Sequence, residues 1–182
     1  MAQAATVYCP NGTGGSLTAP TSGRYVAVSN ASFPGSCYYQ SGNLSNANIA
    51  ALGMTTVDKN GTSGAAAGSL LGGGFPGGST AGTWALASNL WSTYTNLYLG
   101  FHFGNGSGDP DSFVVQLERN QLSGTWSLNA IAPAGLNGLS NYYLLTGPGT
   151  PPPPGTVPEP GSLALVGLAL LATVVVRRRA IS

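Results

Sequence analysis

The sequence predicts an all-β fold: a β-sandwich of jelly-roll-like form as ectodomain, followed by a single C-terminal transmembrane helix. Three observations carry this reading. Short runs of alternating polar and apolar residues, split by Gly, Pro, Asn and Ser, fill the chain from residue 6 to residue 146, the pattern of a sandwich. Charge is nearly absent, since six Lys or Arg and five Asp or Glu make up 6% of 182 residues, against about 25% in an ordinary soluble domain. An uncharged apolar stretch lies near the C-terminus and stops at three consecutive arginines.

The composition also excludes whole classes. A coiled coil, a disordered polyampholyte and a protein that binds nucleic acid by neutralising phosphates all need far more charge, so no nucleic-acid partner is expected. Gly and Pro supply 28 and 13 residues, short of the roughly 25–30% share that marks a disordered chain. Only Arg24, Lys59 and Arg119 precede the terminal arginines, so the body is close to neutral.

Taken in order, the chain opens with Met1-Ala2-Gln3-Ala4-Ala5, which has neither a basic nor an apolar leader region. Ala2-Gln3-Ala4 nonetheless has the small-x-small form of a signal cleavage site, which predicts a start close to a mature terminus. Strands are expected near Thr6 to Cys9, Arg24 to Asn30, Ser36 to Gln40, Thr55 to Asp58, Gly82 to Leu86, Leu97 to Phe103, Ser112 to Leu117, Thr125 to Ile131 and Leu139 to Thr146. In the eighth of these, Trp126, Leu128 and Ala130 share one face and Thr125, Ser127 and Asn129 the other, a period of two with one wet side.

Cys9 and Cys37 both sit among β-formers, and the chain holds one histidine and no C-x-x-C. Such a pair fits a single disulfide better than a metal site and implies an oxidising compartment. Asn43 to Leu52 suits a short helix, with Ser45 as N-cap and Gly53 just past its end. Gly61 to Gly82 is low in complexity, broken only by Leu70, Leu71, Phe75 and Pro76. It offers little side-chain area to bury against the backbone entropy it would lose, so a long mobile loop is expected there.

The ectodomain is thus expected over residues 1–146, and a Pro/Gly-rich linker over 147–156, where Pro151 to Pro154 favour polyproline II. Residues 157–182 form the tail. Its uncharged run from Pro160 to Val176 is 17 residues, about 25 Å as a helix against a hydrocarbon core of about 30 Å. The helix proper is expected over 162–176, with Pro160 suited to its start and Arg177, Arg178 and Arg179 as membrane stop. That basic cluster keeps the C-terminal end cytoplasmic and places residues 1–156 outside.

Val157-Pro158-Glu159-Pro160, an apolar helix and a terminal arginine cluster, in this order, resemble the PEP-CTERM sorting domain of Gram-negative bacteria. The resemblance implies recognition by an exosortase, a membrane-embedded cysteine transpeptidase-like enzyme that cuts near the Pro-Glu-Pro motif. It further implies transient residence in the inner membrane, then a place at the cell surface or in an extracellular matrix, in association with exopolysaccharide and biofilm. Gly82-Thr83-Trp84, Asn105-Gly106, Gly124-Thr125-Trp126-Ser127 and Gly138-Leu139-Ser140-Asn141 are similar to segments recurrent in such ectodomains, although Asn141 stands where a histidine is expected. Physically, Pro158 and Pro160 hold Glu159 in an extended backbone without amide hydrogens on either proline, a rigid shape for a protease-like cleft. Glu159 is expected to pair with a basic residue of that enzyme.

Within the body, His102 between Phe101 and Phe103 has no Ser-His-Asp companions and reads as structural. Asp109 and Asp111, flanking Pro110, are candidate calcium ligands, against the alternative of a solvated turn, and no other cofactor is expected. Trp84, Trp91, Trp126, Tyr142 and Tyr143 suit either a sandwich core or a sugar-stacking surface. The expected role is that of a structural or adhesive protein and not an enzyme. The alternatives are a carbohydrate-binding module for exopolysaccharide, with aromatic side chains exposed in a row, and a hydrolase, with a pocket joining His102 to carboxylates.

Overall fold

The computed structural model describes residues 5–10, 17–32, 37–61, 70–104 and 108–147. They form ten strands and two short helices, all in the compact unit Met1–Thr150. The first five-stranded sheet has the order β1 (Ala5–Cys9), β2 (Gly23–Ala31), β9 (Ser123–Ile131), β6 (Ala81–Leu86) and β5 (Leu71–Gly72). The second runs β3 (Cys37–Gln40), β8 (Ser112–Gln116), β7 (Leu97–Phe103), β10 (Leu139–Thr146) and β4 (Thr55–Gly61). Every pairing is antiparallel. The protein is all-β, as the alternation of the sequence requires.

Facing sides of the two sheets meet in one core. Val26, Val28, Trp84, Trp126 and Leu128 come from the first sheet, and Leu97, Leu99, Phe101, Phe103, Phe113, Val115 and Leu144 from the second. In β9 the period of two holds, with Trp126 and Leu128 buried and Thr125 exposed. All seven residues of β7 are buried, because the outer side of its sheet is also covered. There Tyr98, Val114, Tyr143 and Leu145 pack with Leu44, Ile49, Met54 and Leu52 of helix α1 (Asn46–Ala51) and its flanks.

Helix α1 stands where it is expected. The Ser45 side chain accepts from the Asn48 amide, the Asn48 side chain accepts from the Ser45 amide, and Gly53 takes φ +69° beyond the end. A reciprocal box of this kind satisfies two of the amides that a helix start leaves open.

Two elements were not foreseen. Helix α2 (Leu90–Thr93) buries Leu90 and Trp91, whose indole donates to the Gln121 carbonyl at 2.7 Å. Strand β5 interrupts the stretch expected to be a long loop, pairing Leu71 and Gly72 with Leu86 and Ala85. The few large side chains of that stretch decide the matter. Leu71 is fully buried, and Phe75 inserts between the sheets, stacked on Tyr142 at 4.0 Å between centroids and on Trp126 at 5.8 Å. Residues 62–69 of the expected loop lie outside the described residues.

The open sides of the sandwich are each clasped between sheets. On one side Cys9 of β1 and Cys37 of β3 form a disulfide with Cα atoms 5.6 Å apart, joining two edge strands. On the other, Asp58 of β4 accepts from the Leu70 and Leu71 amides at 3.1 and 3.0 Å, tying β4 to the start of β5.

Candidate functional site

Val157, Pro158, Glu159 and Pro160, the apolar stretch 162–176 and Arg177, Arg178 and Arg179 lie outside the described residues, as does the Ala2-Gln3-Ala4 segment. Among the described residues no helix is long and apolar enough to cross a membrane. The predicted Cys9–Cys37 disulfide is present.

Asp109 and Asp111 part company: Asp109 is exposed in a bend, as a solvated turn requires, whereas Asp111 is turned into the interior. Asp111 is buried, and its Oδ1 receives Nη1 of Arg24 at 2.6 Å, while Oδ2 accepts from the Gly42 amide at 3.2 Å. Arg24, 0% exposed, also donates to the Gly108 carbonyl at 3.0 Å, and its own amide donates to the Asp109 carbonyl at 3.3 Å. A carboxylate already holding a guanidinium does not suit a calcium ion, which needs several anionic or carbonyl oxygens free to converge. Among the described residues no three His, Cys, Asp or Glu side chains converge on one point. Sequence reasoning missed the Arg24–Asp111 pair. The available signal was parity: Arg24 shares the inward side of Val26 and Val28, so its charge had to find a buried partner.

His102 is buried, 6% exposed, and neither ring nitrogen has a hydrogen-bond partner. Burial holds its imidazole below the ordinary value. The Asp111 carboxylate pulls the other way, and Arg24 adds a smaller push in the same downward direction. It lines neither the groove between α1 and β3 nor the shallow one beside β4, so the pocket that a hydrolase reading needs around this histidine is not formed by either.

The five aromatics weighed as a sugar-stacking surface are all buried: Trp84, Trp91, Trp126, Tyr142 and Tyr143. They are core residues, and an exposed row is not built from them. Among the described residues the most exposed aromatics are Tyr38 and Tyr39, at 36% and 56%, on edge strand β3, while Tyr8 and Tyr25 are half-buried. Tyr38 helps line the groove with Gln40, Leu44, Leu52 and Val114.

Among known families, a family model described as the PEP-CTERM protein-sorting motif matches residues 156–179. No curated protein and no solved structure matches the chain. The matched stretch holds Pro158-Glu159-Pro160 and all three terminal arginines in the order the sequence sets out. A motif of this kind implies export, transient membrane sorting and exosortase as the processing partner. The tail of the chain thus carries a PEP-CTERM protein-sorting motif, the signal by which an exosortase substrate is exported and sorted.

Proposed function

We propose that this protein is a structural or adhesive component of the cell envelope or extracellular matrix, associated with exopolysaccharide, and a substrate of processing instead of an enzyme. The observation that carries the reading is the sorting motif at residues 156–179 behind a folded β domain. Two further features support it. A disulfide suits an oxidising compartment. Three of the body's charged side chains are held in a pair or by backbone amides, Arg24 with Asp111 and Asp58 with the Leu70 and Leu71 amides, which suits a framework more than a reactive site. The chain also switches repeatedly between the two sheets, with β1 and β2 in one, β3 and β4 in the other, β5 and β6 back in the first, in keeping with a jelly-roll-like sandwich.

Mass spectrometry of the native C-terminus, with and without the host's exosortase, tests the reading. The released form is expected to end near Pro158 to Pro160 and to lack Arg177, Arg178 and Arg179. A mature exported form that keeps the three arginines overturns it.

A further inference from the structure

The outer faces of the two sheets are unlike. That of the second sheet is apolar and packed beneath α1. That of the first sheet carries hydroxyls, an amide and small side chains at half-buried or exposed positions. Across its five strands the one charged side chain is Arg24, and that residue points inward and is fully buried. The cross-strand register sets three hydroxyls side by side in one row, Thr83, Thr125 and Ser29. Thr83 lies opposite Thr125, whose amide and hydroxyl meet the Ser29 hydroxyl at 2.7 and 3.1 Å. Along β9, the Asn129 amide group donates to the Ser127 hydroxyl at 3.0 Å, and Ser127 itself lies between Ala27 and Ala81 on the neighbouring strands. At the β1–β2 margin, Tyr8 and Tyr25 meet edge to face, with ring centroids 5.9 Å apart.

We propose that this face is a docking surface for a neutral polysaccharide. Charge matching selects the partner's class. An anionic or cationic polymer would shed hydration against a face that returns no counter-charge. An apolar protein partner would find no contiguous aromatic or aliphatic centre to bury. Hydroxyl and amide groups both donate and accept, as sugar hydroxyls do, and the two tyrosine rings offer an apolar body with a polar tip at the edge of the face. The proposal deepens the matrix reading above and rests on it for where such a polymer is met.

The test is affinity electrophoresis of the full chain in a detergent without a sugar headgroup, through gels holding dextran, hydroxyethylcellulose, galactomannan or the anionic alginate. Retardation by at least one neutral polymer is expected, with little change between about 50 and about 500 mM salt, as befits uncharged contacts. Thr125→Glu and Ser127→Lys each place an unpaired charge on the face and are expected to weaken it about tenfold or more. Tyr38→Ala, in the groove on the other sheet, is expected to leave it unchanged. Melting temperatures confirm that each variant folds, and either charged variant suffices. Retardation by no neutral polymer, or undiminished by the charged variants, or confined to alginate and abolished by salt, overturns the proposal. Sorting is read separately from the C-terminal mass, so normal cleavage without polysaccharide binding defeats this inference alone.

Discussion

Trp84 lies opposite Gly124 on adjacent antiparallel strands, so close that a Cβ on that glycine would fall 2.6 Å from the indole Nε1. The relation is reciprocal. Trp126 lies opposite Gly82, where a Cβ would fall 2.8 Å from the indole, and Thr83 faces Thr125 between the two pairs. Two Gly-Thr-Trp segments therefore interlock head to tail, each tryptophan covering the other's glycine, and the register of β6 against β9 is set by that fit. Gly124→Ala is expected to lower stability by about 1–3 kcal/mol through overpacking. The readout is the melting temperature, and an unchanged value would mean that the indole retreats without cost.

The Cys9–Cys37 bridge closes a loop with a sequence separation of 28. On the chain-entropy account, opening it costs about 3–4 kcal/mol. Thermal unfolding with and without a reductant, checked by Cys9→Ser with Cys37→Ser, is expected to show a matching loss. Equal melting temperatures would assign the stability of that flank to β1–β2 and β3–β8 pairing instead.

Arg24 and Asp111 form a buried pair whose members depend on one another. Asp111→Ala leaves a fully buried guanidinium facing only the Gly108 carbonyl, a change expected to cost about 3–5 kcal/mol. The double replacement Arg24→Met with Asp111→Leu removes both charges and is expected to recover most of that loss. Denaturant unfolding of Arg24→Met, of Asp111→Leu and of the double variant measures the coupling, and additive losses would show the pair to be independent.

His102 makes stability pH-dependent. Its folded-state pKa lies below the ordinary value, so between the two values the unfolded chain binds the extra proton and the folded chain does not. The contribution is complete above the unfolded value, near 6.5, and is lost as pH falls through the folded one. Urea unfolding between about pH 7.5 and about pH 4.5 is expected to show the decline, and His102→Phe to flatten it. A variant that follows the parent's curve would place the dependence on the carboxylates.

Glu159→Gln keeps the two flanking prolines and removes the motif's carboxylate. Membrane insertion is expected to be intact and cleavage blocked, with the uncut chain accumulating in membrane fractions on a blot. Cleavage at the parent's rate would show that the enzyme reads the prolines without the charge.

Nine strands, the capped helix and the disulfide were legible because each depends on near neighbours or on simple pairing: alternation for β7 and β9, Ser45 and Gly53 for α1, two cysteines with one way to join. Strand β5 was not, because two residues carry no period, and its place comes from Leu71 and Phe75 finding a core built by distant strands. The polar interior was hidden for a related reason. Arg24 and Asp111 are separated by 87 positions, and nothing local announces that their charges meet. Aromatic residues were equally ambiguous, since Trp84 and Tyr142 read alike as core or surface until both sheets are assembled.

The all-β class of the body and the sorting motif of the tail can be read from the residues alone, because strand periodicity and a processing motif are linear signals, written in consecutive positions. Which side chains are enclosed emerges with the assembled sheets: all three tryptophans inside, Arg24 neutralised by Asp111, and one sheet left with an uncharged hydroxyl face. Those outcomes turn on which strands become neighbours, and in a sandwich assembled from long-range antiparallel pairs that is a property of the whole chain at once.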